Sequence, residues 1–411
     1  MRNAKVFLSV AFLASTMSAR ADTICEWMGY SEAVINSAES TFGPDNRTAL
    51  HGRALTQVAL AMFEAVNAID RHYESYLKLD RGNPRASQEA AATTAAYRVL
   101  VTHFPAKTAE LDENYRIAIE SISDTTARES GRQIGEVAAK LALAAGGIDP
   151  SVVQQPYRPR VQAGVWTATT LPVIQPFTTA FRPWVLASAS AVRPPPPPAL
   201  TDARWARDFN EVKALGERNS AVRTPQQTLM ARYRITPDMM PSLRLVADAT
   251  GRSLVRNARM FALVAMANDD AGMATSEAKL HYNFWRPISA IRNAEDDGNP
   301  ATKVDPAWTP LITTPLHPEY PCGHCTYAAA TAEIMKSETG AAPPGGVRVS
   351  SRSIPMAAVQ VLPTWDDWVR EVSFSRILGG VHYRFANEAG ENIGRTVAKM
   401  TLAKVMRPLA R

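Results

Sequence analysis

Cysteine is scarce in this chain. Three occur in 411 residues: Cys25, Cys322 and Cys325. A dense disulfide scaffold is therefore excluded, and a chain this long buries enough surface to fold without staples. Long apolar runs are missing too. No stretch reaches the roughly 18 residues of a membrane-spanning helix, which excludes a multi-span membrane protein. Neither sign of charge dominates: 45 Lys and Arg stand against 39 Asp and Glu, a formal charge of +6. No clustered basic stripe is present, so a nucleic-acid partner is not expected. Strand signals are few and short, and no repeat period is visible. What remains is an ordinary globular composition, 46% hydrophobic and 20% charged, which excludes a disordered or collagen-like chain.

The N-terminus accounts for part of the charge. Arg2 and Lys5 precede a largely apolar stretch, Val6 to Met17, and then Ala19-Arg20-Ala21. This pattern reads as a secretory signal peptide over residues 1–21 and predicts export to the periplasm or the outside. Removing it takes away Arg2, Lys5 and Arg20 and no acid, so the charge falls from +6 by three to +3. In an oxidising compartment a nearby cysteine pair tends to close, so Cys322 and Cys325 are expected to form a disulfide.

Helical periodicity dominates the rest. In residues 51–70, Leu55, Val58, Ala59, Met62, Phe63 and Val66 recur at helical spacing. Similar patterns cover 87–103, 107–122 and 125–145, ending at Gly146-Gly147 and Pro150. Residues 148–200 are rich in Pro and Thr and include five consecutive prolines, Pro194 to Pro198, a stiff extended segment. Helical patterns resume at 201–217, 223–233, 241–272, 324–339 and 386–404, separated by Pro-rich loops at 299–321 and 341–364. The expected fold class is all-α: a helical bundle with long Pro-rich connecting loops. The expected organisation is a helical region over 22–200 with its Pro-rich connection, then a second over 201–411 that carries the chemistry.

Three segments carry that chemistry. In Lys279-Leu-His-Tyr-Asn-Phe-Trp-Arg286-Pro287 two cations stand seven residues apart, two turns of one helix face, before Pro287 disturbs the helix. In His317-Pro-Glu-Tyr-Pro-Cys322-Gly323-His324-Cys325 a Pro-rich loop opens a helix, whose first N–H groups and macrodipole favour an anion. Gly323 allows close backbone approach, and His324 is placed to act as acid or base. Ser375-Arg376-Ile-Leu-Gly379-Gly380-Val-His382 adds a cation and an imidazole. Three cations, two histidines and one helix N-terminus are what a tetrahedral oxyanion needs. Cys322-Gly-His-Cys325 also matches the motif of dithiol oxidoreductases, but those need flanking strands that this region lacks.

In combination and order, Lys-x6-Arg-Pro, Pro-x-Gly-His and Ser-Arg-x5-His resemble the signature of the vanadium-dependent haloperoxidase and type 2 phosphatidic acid phosphatase superfamily. The upstream ALTQVALAMFEAVNAID, and the stretch from Arg193 through EVKALGERNSAVRTPQQ, are similar to its soluble haloperoxidase-like branch. The resemblance implies a vanadate cofactor, with phosphate able to occupy the same site. It implies that Lys279, Arg286 and Arg376 bind the equatorial oxygens, with the Gly323 N–H beside them. His324 is then the acid–base residue. His382 is the metal ligand of a peroxidase or the nucleophile of a phosphatase. Small molecules are the expected partners: hydrogen peroxide with a halide, or a phosphate ester.

Two departures stand out. Cys322 replaces the usual Ser before Gly-His, and a thiol donates hydrogen bonds more weakly. Ala386 stands where the family usually places the Asp that holds the last histidine, so His382 is expected to lack its orienting carboxylate unless Asp366, Asp367 or Glu371 substitutes by folding back. His317, seven residues before His324, occupies a position that is typically aromatic in chloride oxidisers and histidine in bromide oxidisers of that family. Bromide or iodide oxidation is therefore expected.

Overall fold

The computed structural model describes residues 22–37, 47–147, 157–170, 180–354 and 356–410. The signal-peptide stretch lies outside them. Helices carry most of the described chain. The first five are α1 (Thr23–Ser37), α2 (Arg47–Ile69), α3 (Gln88–His103), α4 (Thr108–Glu120) and α5 (Thr125–Ala145). After the Pro-rich connection come α6 (Ala203–Gly216), α7 (Pro225–Tyr233), α8 (Met240–Ala247), α9 (Leu254–Tyr282) and α10 (Pro287–Arg292). The last three are α11 (Gly323–Thr339), α12 (Trp365–Leu378) and α13 (Arg384–Lys404). The all-α bundle read from periodicity is the fold observed.

Residues at helical spacing explain the packing. Val58, Ala59, Met62, Phe63 and Val66 of α2 are fully buried, and they pack with α3, α5 and the long α9. Alanine-rich faces let these helices approach closely. Caps start the helices where the sequence supplies them. Ser87, Asp124, Asp202 and Thr224 each accept a first-turn N–H with the side chain.

Three local expectations are corrected. The pattern over 241–272 is two helices, α8 and α9, broken at Thr250-Gly251, where Gly251 has φ +82°. The stretch 341–364 is not all loop. It holds β2 (Val347–Ser351) and β3 (Gln360–Leu362), which join β1 (Pro237–Asp238) in an antiparallel sheet of order β1-β2-β3. Lys279 and Arg286 do not share a helix face. α9 ends at Asn283, which takes the left-handed conformation (φ 46°), and Arg286 is the N-cap of α10, with Pro287 at its first position.

The site is built by α9, α11, α12 and α13. The α11–α13 contact depends on two glycines one turn apart. A Cβ at Gly390 would lie 2.3 Å from Cys322 O, and one at Gly394 would lie 2.2 Å from Thr326 O. Those main-chain oxygens cannot move aside cheaply. Gly390→Ala is expected to lower stability by about 1–3 kcal/mol through overpacking. Gly147→Ala, whose nearest atom would be 3.9 Å away, is the control. Thermal unfolding of the two variants checks this, and equal midpoints would contradict it.

Candidate oxyanion site

A loop held by cations forms the floor. Lys279, in the last turn of α9, donates from Nζ to Pro318 O at 2.9 Å, Glu319 O at 2.7 Å and Pro321 O. Arg286 donates from Nε to His317 O (3.0 Å) and from Nη1 to Val381 O (2.7 Å). Residues 317–321 and the turn before His382 are thereby tied to two buried guanidinium and ammonium groups. Behind them Trp205 is packed among Phe209, Phe284, Trp285, Tyr383 and Phe385, an apolar wall that excludes water.

His382 is held from both sides. Its Nδ1 lies 2.8 Å from Glu319 Oε1, and its Nε2 lies 3.2 Å from Arg286 Nη1. Arg286 can only donate, so Nε2 carries the lone pair and Nδ1 carries the proton given to Glu319. Glu319 Oε1 also accepts the Tyr383 N–H at 3.1 Å, while its Oε2 is buried without a partner. The orienting carboxylate is thus Glu319, which corrects the expectation that Asp366, Asp367 or Glu371 takes that part. Those three are engaged elsewhere: Asp366 with Lys336 and Arg395, Asp367 with Thr364 and Arg370, and Glu371 with Arg234. Glu319 is the one acid of the 317–325 segment, and that was the available signal.

The opposite wall comes from the segment after α7. Arg376 donates from Nη1 to Arg234 O at 3.4 Å, and His324 Nε2 meets Ile235 O at 2.9 Å. Arg376 is buried, and its Nε has no partner. At the start of α11, Cys325 N–H is taken by Cys322 Sγ (3.3 Å) and Thr326 N–H by Cys322 O (3.1 Å), which leaves the N–H groups of Gly323 and His324. All three cysteines are free thiols, so the expected Cys322–Cys325 bridge is corrected. The reason is local: Cys322 is the helix N-cap and its sulfur is turned onto the N–H three residues on.

Electrostatics follow from burial. Lys279 is pushed down to about 7 by burial and then by Arg286. Arg286 falls to about 10, again through burial. His324 drops to about 3 through burial and the facing Arg376, and His317 and His382 lie well below their ordinary value. Burial lifts Glu319 to about 8. Positive groups therefore outnumber the single carboxylate in a low-dielectric space.

A tetrahedral oxyanion fits this site on three grounds. The charge is uncompensated. Arg376 Nε is orphaned. Gly323 also has ordinary backbone geometry, yet a Cβ there would meet nothing nearer than Thr275 Cγ2 at 4.0 Å. Neither fold nor packing demands glycine at that point, and the room left beside its Cα suits a ligand. Lys279, Arg286, Arg376, Gly323, His324 and His382, named from three separate segments, are brought together. Cys322 joins them, but as an acceptor rather than a donor.

Residues 259–411 match the VCPO second helical-bundle domain. A segment covering 19% of this chain and 14% of the relative is 38% identical to vanadium chloroperoxidase of Curvularia inaequalis, so the chain matches only a small part of that protein's length. Among solved structures, a bacterial vanadium-dependent iodoperoxidase aligns with TM-score 0.75 at 19% identity, over 93% of this chain and 96% of that one. A holo-type bacterial vanadium-dependent chloroperoxidase aligns with TM-score 0.69 at 18% identity, over 86% of this chain and 90% of that one. These two likenesses establish the shared fold well beyond the matched domain.

The lowered Lys279 gives a signed prediction. An anion pulls that ammonium back up, so binding above pH of about 7 takes up a proton, and affinity falls as pH rises. Sulfate is the suitable probe because its own charge is constant over this range. Calorimetric titration in buffers of different ionisation enthalpy is expected to show proton uptake and weakening by up to about tenfold per pH unit. A flat profile would mean that Lys279 does not face the anion.

Proposed function

We propose that this protein is a vanadate-dependent haloperoxidase that oxidises a halide with hydrogen peroxide. The observation that carries the reading is the His382 arrangement: an imidazole with its Nδ1 proton fixed by Glu319, and its Nε2 lone pair, here accepting from Arg286, turned toward the cationic side of the site. His382 Nε2 would be the ligand, and the three cations and the Gly323 N–H would hold the oxyanion's oxygens. Vanadate, when bound, supplies a Lewis-acidic centre that activates peroxide.

The chain's own residues do the rest. An anion competes with main-chain carbonyls for the donors of Lys279 and Arg286, and Arg376 Nε is available without competition. Burial and the nearby cations hold His324 neutral; the negative charge of a bound oxyanion would raise its proton affinity and let it take a proton from incoming peroxide. The apolar wall around Trp205 keeps the dielectric low and strengthens each of these contacts. Export by the N-terminal segment belongs to the same proposal and is supported by its charged start and apolar run.

The test is reconstitution of the metal-free chain with orthovanadate, followed by bromination and phosphate-ester hydrolysis assayed side by side. Vanadate-dependent bromination with negligible hydrolysis is expected. Hydrolysis without bromination would replace the reading with a phosphatase that uses His382 as nucleophile. In Glu319→Ala the imidazole loses its anchor. Orthovanadate affinity is expected to drop by about 10–100-fold while sulfate affinity changes little, because only vanadate bonds to the ring.

Halide choice is proposed to rest on His317. Its Nδ1 accepts from Arg286 Nη2 at 3.0 Å, which draws a donor away from the oxyanion. Weaker polarisation suits bromide or iodide, which are easier to oxidise than chloride. His317→Phe frees that donor and is expected to raise chloride turnover relative to bromide. Chloride turnover by the unmodified protein as fast as its bromide turnover would end this account.

A further inference from the structure

The two thiols at the head of α11 have an arrangement that oxyanion binding leaves unexplained. Cys322 and Cys325 are both buried and unbridged, one at the N-cap and the other three residues on. Cys322 Sγ accepts the Cys325 N–H at 3.3 Å, and the Cys325 thiol faces the same sulfur. Lys279 and Arg376 add positive charge beside Cys322. On its far side Cys325 meets the Ser373 hydroxyl, which donates to Glu391. Gly323 and His324, next in sequence, are only half-buried, so the first turn of α11 borders the open side of the site.

We infer that Cys322 and Cys325 form a peroxide-oxidisable pair, in which Cys322 is the reacting sulfur and Cys325 the resolving thiol. A helix N-terminus and neighbouring cations favour a thiolate. Although burial alone would raise Cys322, the Cys325 contact and the cations bring it below its ordinary value, while Cys325 lies well above. The two thiols are thus differentiated in the way such a pair needs.

The chemistry balances. The Cys322 thiolate attacks one oxygen of hydrogen peroxide. The O–O bond breaks, the sulfur is oxidised by two electrons to a sulfenic acid, and the other oxygen leaves as hydroxide, which takes up the proton released when the Cys322 thiol ionised and becomes water. The Cys325 sulfur then attacks that sulfenic sulfur, its proton goes to the departing hydroxyl, and a second water leaves as the disulfide forms. Residues three apart on a helix have Cβ atoms roughly 5–6 Å apart, and a disulfide needs about 3.5–4.5 Å. The small closure falls on an N-cap whose ψ of 114° already lies outside the helix. The disulfide is therefore an oxidation product of the site, not a standing cross-link. Cys25 is the internal control: it is buried in α1, away from these cations, and burial pushes it up to about 12.

The inference does not rest on the vanadate reading, and its test contains no vanadate. The full chain is exposed to stoichiometric hydrogen peroxide, alkylated, digested without reductant and mapped by mass spectrometry. Loss of the Cys322 and Cys325 thiols together is expected, as one peptide with an internal disulfide that resists alkylation and lacks both thiol hydrogens, at least about tenfold faster than loss of Cys25 and reversed by dithiothreitol. In Cys325→Ser, Cys322 is expected to accumulate as a sulfenic acid trapped by dimedone. In Cys322→Ser, Cys325 is expected to remain a thiol. Oxidation of Cys25 at a comparable rate, no internally bridged peptide from the unmodified chain, or unchanged oxidation of Cys325 in Cys322→Ser would overturn it.

Discussion

A cluster of buried cations with one buried carboxylate governs this molecule. Lys279, Arg286 and Arg376 are each almost wholly removed from water, and the acid among them is Glu319. Charges so placed are costly unless paired, and one carboxylate cannot pair three. Main-chain carbonyls of residues 317–321 supply the missing negative ends of dipoles. That is why a proline-rich loop without regular structure is fixed in place. The loop in turn presents Glu319 to His382. Loop order is a consequence of that imbalance, and so is the anion affinity proposed for the site.

Helix packing sets where that imbalance sits. α11 must bring its N-terminus to the loop, and it does so only because Gly390 and Gly394 let α13 touch the main chain of its first turns. Cys322 N–H is bonded to Ala386 O at 3.0 Å, which locks the N-cap to the start of α13. Thr275 of α9 bonds Thr326 Oγ1 at 3.0 Å and fixes the third helix. The donors of the site thus stand on rigid elements, the condition for electrostatic preorganisation.

Much of this was legible in the sequence. Apolar spacing placed α3 and α5 within a residue or so of their observed limits, and the three motif segments do converge. What was not legible depended on distant contacts. Glu319 is 63 residues from His382 along the chain, so no local pattern could tie them, although the lone acid in that segment was visible. The shared helix face for Lys279 and Arg286 failed because a left-handed Asn283 ends α9 before Pro287 is reached. The helix α12 escaped notice because its weakly periodic residues, 365–378, become a helix through a Thr364 cap and burial of Trp365 and Trp368. The bridge between Cys322 and Cys325 was inferred from compartment and spacing alone, without the capping contact that occupies the sulfur.

Replacing a hydroxyl by a thiol at position 322 changes the site's logic. A serine there would cap α11 and could also donate toward an oxyanion. The Cys322 sulfur instead accepts, so it brings electron density to the anion pocket rather than withdrawing it. The donors that remain are the cations and the two free N–H groups at Gly323 and His324. Arg286 is shared between His317 and His382, at 3.0 Å and 3.2 Å, and is further tied to Val381 O. Arg376 is bound only weakly, at 3.4 Å to Arg234 O, and is the cation least committed to the protein. The donor with most capacity left for the proposed anion therefore stands on α12. Because α12 also carries Ser373 beside Cys325, one helix adjoins both the strongest free donor and the thiol pair. Oxidation at Cys322 would alter the charge that Arg376 faces, which joins the anion site and the thiols in one electrostatic unit.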